Sequence, residues 1–401
     1  MKKKILIMFL LILIIFGNIV YADDMIEETT EEIINVSSEL TEEPEIYSKH
    51  VLVMERSTGT ILYEKDAYSK TAMASTTKIL TAIVVLENCN LQDEVTISKK
   101  AANTGGSVLG INSNIKMTIE SLLYGLLLRS GNDCAVALAE HVGGNLEGFA
   151  KMMNDKALDI GLTKSNFVTP HGLDNENHYT TAYDMAILTE YALKNEVFSR
   201  IVNTRSIDIM VGNYPRHINN THELLGNIEG VYGVKTGFTG NAGRCLITAV
   251  KRDNLDVIIV VLGADTKKIR TLDTQKLINY IFNTYEMIDT YEIVNNAFNE
   301  QYISKNIKLL KSVGKINLKL EKKDTYEYPV NKNDVNKIKT SLYHLSLIEA
   351  PICNDTKIGE LRVMVNNKIL YSLDIKSSDN IKKKNYKFYM KQLLYDIKKC
   401  F

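Results

Sequence analysis

The chain has 401 residues and carries 48 Lys and Arg against 48 Asp and Glu, a formal charge of zero. That length holds two domains, and the balanced charge offers no basic field, so no nucleic acid is expected as a partner. Its 7 histidines show no His-Glu-x-x-His spacing, and its 5 cysteines (89, 134, 245, 353, 400) form no metal or redox motif, so no metal or cofactor is expected.

At the start, Met1-Lys-Lys-Lys4 followed by apolar Ile5 to Val20, with Val20-Tyr21-Ala22 as a small-residue cleavage site, reads as a secretory signal over 1–22. An uncleaved anchor is the alternative, but the stretch falls short of the ~20 residues a spanning helix wants, and Asn18 interrupts it. Losing the signal lysines leaves the mature chain mildly acidic. Residues 23–45, rich in Glu and Thr, read as an acidic flexible spacer, with a short first helix on Met25, Ile26, Ile33 and Ile34 as the other reading. An odd cysteine count in an exported chain leaves at least one unpaired; Cys89, Cys134 and Cys245, in apolar stretches, are expected as buried thiols.

The main folded domain is expected over 46–288. Val51–Met54 and Thr60–Tyr63 flank Ser57-Thr58-Gly59, a hairpin pattern. Ala74 to Glu87 is apolar and free of Gly and Pro, a buried helix. Ser75 stands at its start, where unpaired N–H groups and the positive dipole end could stabilise an oxyanion. Lys78, one turn on, shares its face. In an apolar pocket such a lysine loses affinity for its proton and can act as base toward the hydroxyl. The spacing alone is weak: Ser113-Asn-Ile-Lys116 and Ser312-Val-Gly-Lys315 share it, and a plain helix N-cap with a solvated lysine also fits.

Thr118 to Leu128 is a second apolar helix. It breaks at Ser130-Gly131-Asn132 and resumes from Asp133 to His141. A serine and an amide on that turn could face a cleft, Ser130 relaying a proton and Asn132 holding a substrate amide; an ordinary connecting loop with Asp133 as N-cap is the alternative. Lys235-Thr236-Gly237 lies between strand-like stretches. On an edge strand Lys235 and Thr236 could bind a terminal carboxylate while Gly237 admits a substrate backbone; a lysine that merely discourages edge pairing is the alternative. Helices over most of 75–200, strands over 231–263 and a closing helix over 266–284 give an α+β domain. Its antiparallel sheet comes from both ends of the domain and is flanked by helices, with an inserted helical lobe and a cleft between sheet and lobe.

Alternation in Ile316–Glu321 and Leu361–Tyr371, with Asn366-Asn367 as a hairpin turn, marks 290–376 as a small all-β domain. In 380–401, Tyr386, Tyr389, Met390, Leu393, Leu394 and Ile397 share one helical face among lysines. That is the pattern of a basic amphipathic tail on a membrane surface, or of a helix folded back on the β domain.

With its three motifs in order, the chain resembles the serine D-alanyl-D-alanine carboxypeptidases, the low-molecular-mass penicillin-binding proteins related to β-lactamases. Leu126-Leu-Leu-Arg-Ser-Gly-Asn-Asp133, Phe167-Val-Thr-Pro-His-Gly-Leu-Asp174, Tyr179-Thr-Thr-Ala-Tyr-Asp184 and Gly233-Val-Lys-Thr-Gly-Phe-Thr239 with Ala242-Gly243 carry the likeness. It is strong over 45–288 and weak over 290–375. The resemblance implies a β-lactamase/DD-peptidase-like fold and removal of the terminal D-alanine from peptidoglycan stem pentapeptides, with β-lactams as inhibitors. It implies action outside the cytoplasm, at the outer membrane face or in the wall.

The same resemblance implies Ser75 as acylated nucleophile, Lys78 as base, Ser130 as proton relay and Asn132 as amide clamp. Lys235 and Thr236 would receive the terminal carboxylate, with Gly237 beside them in the substrate-binding set and Arg270 as the matching downstream arginine. The backbone N–H groups of Ser75 and Phe238 would form the oxyanion hole. A class A β-lactamase normally has Ser-Asp-Asn in the middle motif and a separate deacylating glutamate. This chain has Ser-Gly-Asn and no such Glu motif between Ser130 and Lys235; Ser378-Asp379-Asn380 lies too far downstream to serve. His171 and Asp174 suggest a Ser-His-Asp triad, but a structural turn by the cleft is the favoured reading. A non-catalytic wall-binding protein would lose Ser75, Lys78 or Lys235, and all three are present.

Overall fold

The computed structural model describes residues 42–300 and 307–400. The expected signal over 1–22 and most of the acidic spacer lie outside the described residues. The spacer's end does not: Pro44 and Ile46 are buried, and Tyr47 and Ser48 donate their backbone N–H groups to the Asp273 carboxylate at 3.0 and 2.7 Å. Packing thus already includes Pro44, inside the expected spacer.

Two compact units meet at Asn283 and Thr284, earlier than the expected boundary after 288. The reason is strand Tyr285–Asp289, which pairs along its length with Glu327–Asn331 of the second unit.

The first unit is built on five strands: β1 (His50–Glu55), β2 (Ile61–Lys65), β3 (Val231–Thr239), β4 (Gly243–Arg252) and β5 (Leu255–Ala264). Their spatial order is β2-β1-β5-β4-β3, antiparallel throughout, so β3 is an edge. β5 reads Leu-Asp-Val-Ile-Ile-Val-Val-Leu-Gly-Ala and is buried along nearly its whole length, as a central strand covered on both faces must be. The β1–β2 turn closes on the Glu55 carboxylate, which accepts from the N–H and hydroxyl groups of Ser57 and Thr58.

Between β2 and β3 the chain inserts a helical lobe: α1 (Lys78–Asn88), α2 (Ile119–Leu128), α3 (Asn132–Gly143), α4 (Leu146–Ile160), α5 (Ala182–Leu193) and α6 (Glu196–Val202). Thr118, Asn145, Thr181 and Asn195 start α2, α4, α5 and α6 by accepting a first-turn N–H, each such cap contributing about 1 kcal/mol. Phe149, Phe167 and Phe198 of the lobe share one core with Leu52 and Met54 of β1 and Ile79, Leu80 and Ile83 of α1. α7 (Lys267–Thr284) follows β5. Two features went unforeseen: a hairpin, Ser206–Val211 with Tyr214–Asn219, and a short pair, Glu94–Thr96 with Lys116–Thr118. The strands of the second are only three residues each, and in the first only Ser206–Val211 is rich in apolar residues.

The second unit carries a four-stranded antiparallel sheet from Leu318–Leu320, Ile338–His344, Lys357–Val365 and Lys368–Ser377. Asn366 and Asn367 form its tight turn with φ of 49° and 65°, the two positive values a primed hairpin turn requires. The unit is not all-β as expected. Its first helix, α8 (Tyr291–Glu300), buries Val294 and Ala297 against Leu361, Val363 and Leu373. Near its end, Lys382–Lys383 pairs with Ser312–Val313, and α9 (Tyr386–Cys400) follows.

Candidate active site

Ser75 sits in a 3-10 turn, Ala74–Thr77, and the α-helix proper begins at Lys78. The turn is held from both ends. Thr76 and Thr77 donate their hydroxyls back to the carbonyls of Met73 and Ala74 at 2.6 and 2.8 Å, and Ala74 adopts a φ of 48°. Gly172 lies directly beneath it: a Cβ there would stand 1.9 Å from the Ala74 carbonyl oxygen, at a φ of +86°. His178 closes the support. Its Nδ1 accepts from the Val168 N–H at 2.9 Å, so Nε2 carries the proton toward the Thr77 hydroxyl at 2.8 Å. Burial lowers the His178 pKa to about 4, which keeps that neutral ring.

Lys78 is fully buried. Its Nζ stands 2.8 Å from Ser75 Oγ, 2.7 Å from Asn132 Oδ1, 3.0 Å from the His171 carbonyl and 3.5 Å from Ser130 Oγ. The Asn132 and His171 oxygens can only accept. A neutral amine with both N–H bonds given to them keeps its lone pair for a serine hydroxyl. That is the arrangement a general base toward Ser75 needs.

The second motif follows the end of α2. Ser130 is buried at a φ of 59°, and Gly131 rather than Asp133 is the N-cap of α3, so Asn132 opens the helix. Asn132 donates its backbone N–H to Ser107 and its side-chain amide to Gly105, at 2.7 and 2.8 Å. Asp133 has different work: its carboxylate accepts the N–H groups of Leu109, Gly110 and Ile111. Together they fix the 105–111 segment beside Lys78.

On edge strand β3, Lys235 is buried and donates to the Thr236 carbonyl at 2.9 Å, while the Thr236 and Thr221 hydroxyls lie 2.9 Å apart. Gly237 approaches the nucleophile turn so closely that a Cβ would stand 3.0 Å from the Ser75 nitrogen and 3.2 Å from that of Thr76. The space before the Ser75 amide thus exists only because residue 237 has no side chain. Phe238 follows on the same strand, its ring under the Arg244 guanidinium at 3.8 Å.

Arg270, near the start of α7, is buried and ion-paired with Glu223. Burial would raise the Glu223 pKa, but the Arg270 charge and the Thr271 hydroxyl bring it to about 2. Glu223 stands two residues beyond Thr221, so one short segment joins the Arg270 pair to the Thr236 hydroxyl.

His171 and Asp174 make no triad. The His171 ring accepts from the Leu173 N–H at 3.2 Å, its backbone carbonyl holds Lys78, and burial lowers its pKa to about 3. Asp174 accepts from the Thr239 hydroxyl at 2.5 Å and the Asn241 N–H at 3.2 Å, fastening the 170–174 turn to the end of β3. Cys134 and Cys245 are buried, and burial pushes both thiols up, Cys245 to about 11. Cys89 is only half-buried, because it lies just past the end of α1.

The structure therefore joins Ser75, Lys78, Ser130 and Asn132 in one hydrogen-bonded set, brings Gly237 against Ser75, and keeps Lys235, Thr236 and Phe238 on the same strand. Arg270 connects to them through Glu223 and Thr221. Asp133, His178, Thr221 and Glu223 escaped the sequence reading, because each acts through a partner distant in the chain.

Residues 37–266 match the peptidase S11 family, described as D-alanyl-D-alanine carboxypeptidase. The chain is similar to the D-alanyl-D-alanine carboxypeptidase DacF of Bacillus subtilis, 33% identical over 368 residues that span 90% of this chain and 91% of the relative. Among solved structures, penicillin-binding protein 5 from Haemophilus influenzae matches with a TM-score of 0.71 at 26% identity, over 85% of this chain and 99% of that one. The Streptomyces K15 DD-transpeptidase matches with a TM-score of 0.57 at 34% identity, over 60% of this chain and 98% of that one.

Proposed function

The chain belongs to the D-alanyl-D-alanine carboxypeptidase family, and on that premise we propose that Ser75 is the residue through which this serine carboxypeptidase removes the terminal D-alanine of peptidoglycan stem peptides. The observation that carries the assignment is the Lys78 environment, with Nζ 2.8 Å from Ser75 Oγ and two acceptor-only oxygens taking its N–H bonds.

In the proposed mechanism Lys78 takes the hydroxyl proton as Ser75 attacks the carbonyl between the two D-alanines. The backbone N–H groups of Ser75 and Phe238 receive the oxyanion; losing one such donor typically costs roughly 3–4 kcal/mol of barrier. Ser130 passes the proton to the leaving amine, and Asn132 holds the substrate amide. Lys235 and Thr236 receive the terminal carboxylate, supported by Arg270, while Gly237 leaves room for the peptide. D-Alanine departs and water releases the acyl group. A β-lactam presents a strained amide and a carboxylate in like positions, so it acylates the same serine and leaves slowly.

We place the enzyme outside the cytoplasm on the sequence of residues 1–22. We assign α9 to the membrane surface: Tyr386, Leu393, Leu394 and Tyr395 are 76%, 55%, 56% and 65% exposed among Lys387, Lys391 and Lys398, the composition of an interfacial helix. Among the described residues no helix is long and apolar enough to cross a membrane.

The test is intact mass of the secreted form after brief exposure to benzylpenicillin, beside Ser75→Ala. A stable adduct present in the wild type and lost in the variant is expected. Rapid drug turnover without adduct would indicate a β-lactamase, and no reaction a binding protein.

A further inference from the structure

The two unforeseen elements of the first unit enclose a cavity of about 620 Å³ that the carboxypeptidase mechanism does not use. On one side stand Glu94, Lys116, Asn112 and Asn114; on the other, Asn213 and Tyr214 at the tip of the Ser206–Asn219 hairpin. Its Glu94–Lys116 pair is closed, while Arg216 keeps its charge and is held by backbone. Lys116 pairs with Glu94 at 3.0 Å, and Arg216 donates to the carbonyls of Leu109 and Gly110 at 2.5 and 3.3 Å. What is left to meet a ligand is three side-chain amides and an aromatic ring, Tyr214 being 78% exposed. Amides that both donate and accept suit hydroxyl and acetamido groups, and an open ring face offers an apolar platform.

The cavity is wired to the active site. Arg216 holds the carbonyls of the same segment whose N–H groups Asp133 holds, and Asn132 anchors that segment at Gly105 while contacting Lys78. A stem peptide has four residues between its scissile bond and its sugar, about 13 Å when extended. A substrate acylating Ser75 that follows this segment would bring its sugar end to the cavity.

We propose that the cavity between the Glu94–Lys116 pair and the Ser206–Asn219 hairpin is a saccharide subsite that takes the N-acetylated amino sugar bearing the stem peptide. This rests on the carboxypeptidase reading and deepens it: the enzyme prefers stem peptides still attached to glycan over free peptides.

The test compares two substrates, a free diacetylated Lys-D-Ala-D-Ala tripeptide and a disaccharide-pentapeptide, using the full chain, Tyr214→Ala and Asn112→Ala. In the wild type, kcat/KM is expected to be at least tenfold higher for the disaccharide substrate, mainly through KM. Tyr214→Ala should bring that ratio down toward one while leaving tripeptide hydrolysis intact. An N-acetylglucosamine tetrasaccharide should bind the wild type saturably and fail to bind the variant. Equal kcat/KM for the two substrates, or a ratio that Tyr214→Ala and Asn112→Ala leave unchanged, overturns the subsite. A preference that persists without tetrasaccharide binding also overturns it, since the added peptide alone would then explain the gain. Tripeptide hydrolysis reports the carboxypeptidase reading separately, because a tripeptide carries no sugar.

Discussion

Asn132 Oδ1 lies 2.7 Å from Lys78 Nζ, as close to the lysine as Ser75 Oγ at 2.8 Å. The oxygen is neutral, so it orients the amine without adding a charge that would hold its proton. Asn132→Asp keeps the shape and adds that charge. An opposite charge at this range favours the protonated form by about 1–3 pKa units, so the base form falls about tenfold to a thousandfold at neutral pH. Acylation by benzylpenicillin should slow accordingly, and the acidic limb of its pH–rate profile should move upward. A slower rate with an unmoved limb would mean that Lys78 is not the base.

Gly172 and Ala74 make a second close relation. Gly172→Ala would drive a Cβ to within 1.9 Å of the Ala74 carbonyl, and the turn that carries Ser75 would have to shift. We expect a stability loss of about 1–3 kcal/mol from the φ alone, with acylation slowed beyond what the loss of folded protein explains. Gly161→Ala is the control: its φ is +94°, yet no atom lies within 4 Å of the added carbon. It should lower the Tm and leave acylation of the folded protein unchanged.

Three buried histidines set an acid limit on stability. Burial is the first cause in each, lowering His171 to about 3 and His178 and His222 to about 4 from an ordinary 6.5. The unfolded chain therefore binds protons in a range where the folded chain does not. Their stabilising contribution is complete above pH 6.5 and is lost as pH falls through about 4, at up to about 1.4 kcal/mol per pH unit for each ring. The Tm should be level above about pH 7 and fall steeply between about pH 6.5 and 4. His178→Gln should reduce that slope by roughly one proton, whatever it does to the Tm at pH 7; an unchanged slope would show that His178 does not titrate with unfolding.

Much of this site could be read from sequence because its motifs are local. Ser75 with Lys78, Ser130 with Asn132, and Lys235 through Gly237 each act within one turn or one strand, and apolar periodicity marks the elements that carry them. Their supports could not be read in the same way. Asp133 looks like a helix cap, yet it binds backbone some 22–24 residues away; His178 reaches Thr77 across 101 residues. The Ser206–Asn219 hairpin was missed because only its first arm alternates, with Ile207, Ile209 and Val211 turned inward, while Tyr214–Asn219 holds Pro215 and buries only Ile218. The domain boundary moved for a related reason: Tyr285–Asp289 continues α7 in sequence, but its strand partner lies about forty residues on.

Glu223 and Arg270 give the last prediction. The Arg270 side chain is 4% exposed and that of Glu223 24%, so the pair is partly screened, and losing one partner should cost about 2 kcal/mol, less than a fully buried pair. Glu223 sits at about 2 against an ordinary 4.5. A depressed carboxylate stabilises above its unfolded value and loses that contribution as pH falls through its folded one. The stability gap between wild type and Glu223→Gln should therefore be full above about pH 4.5 and close toward about pH 2. Kinetics separate support from catalysis. If Glu223 positions Arg270 for the substrate carboxylate, Glu223→Gln and Arg270→Ala should both raise KM for the tripeptide with little change in kcat. A fall in kcat at constant KM would place the pair in the chemical step instead, and an unchanged KM in Arg270→Ala would remove Arg270 from the carboxylate site.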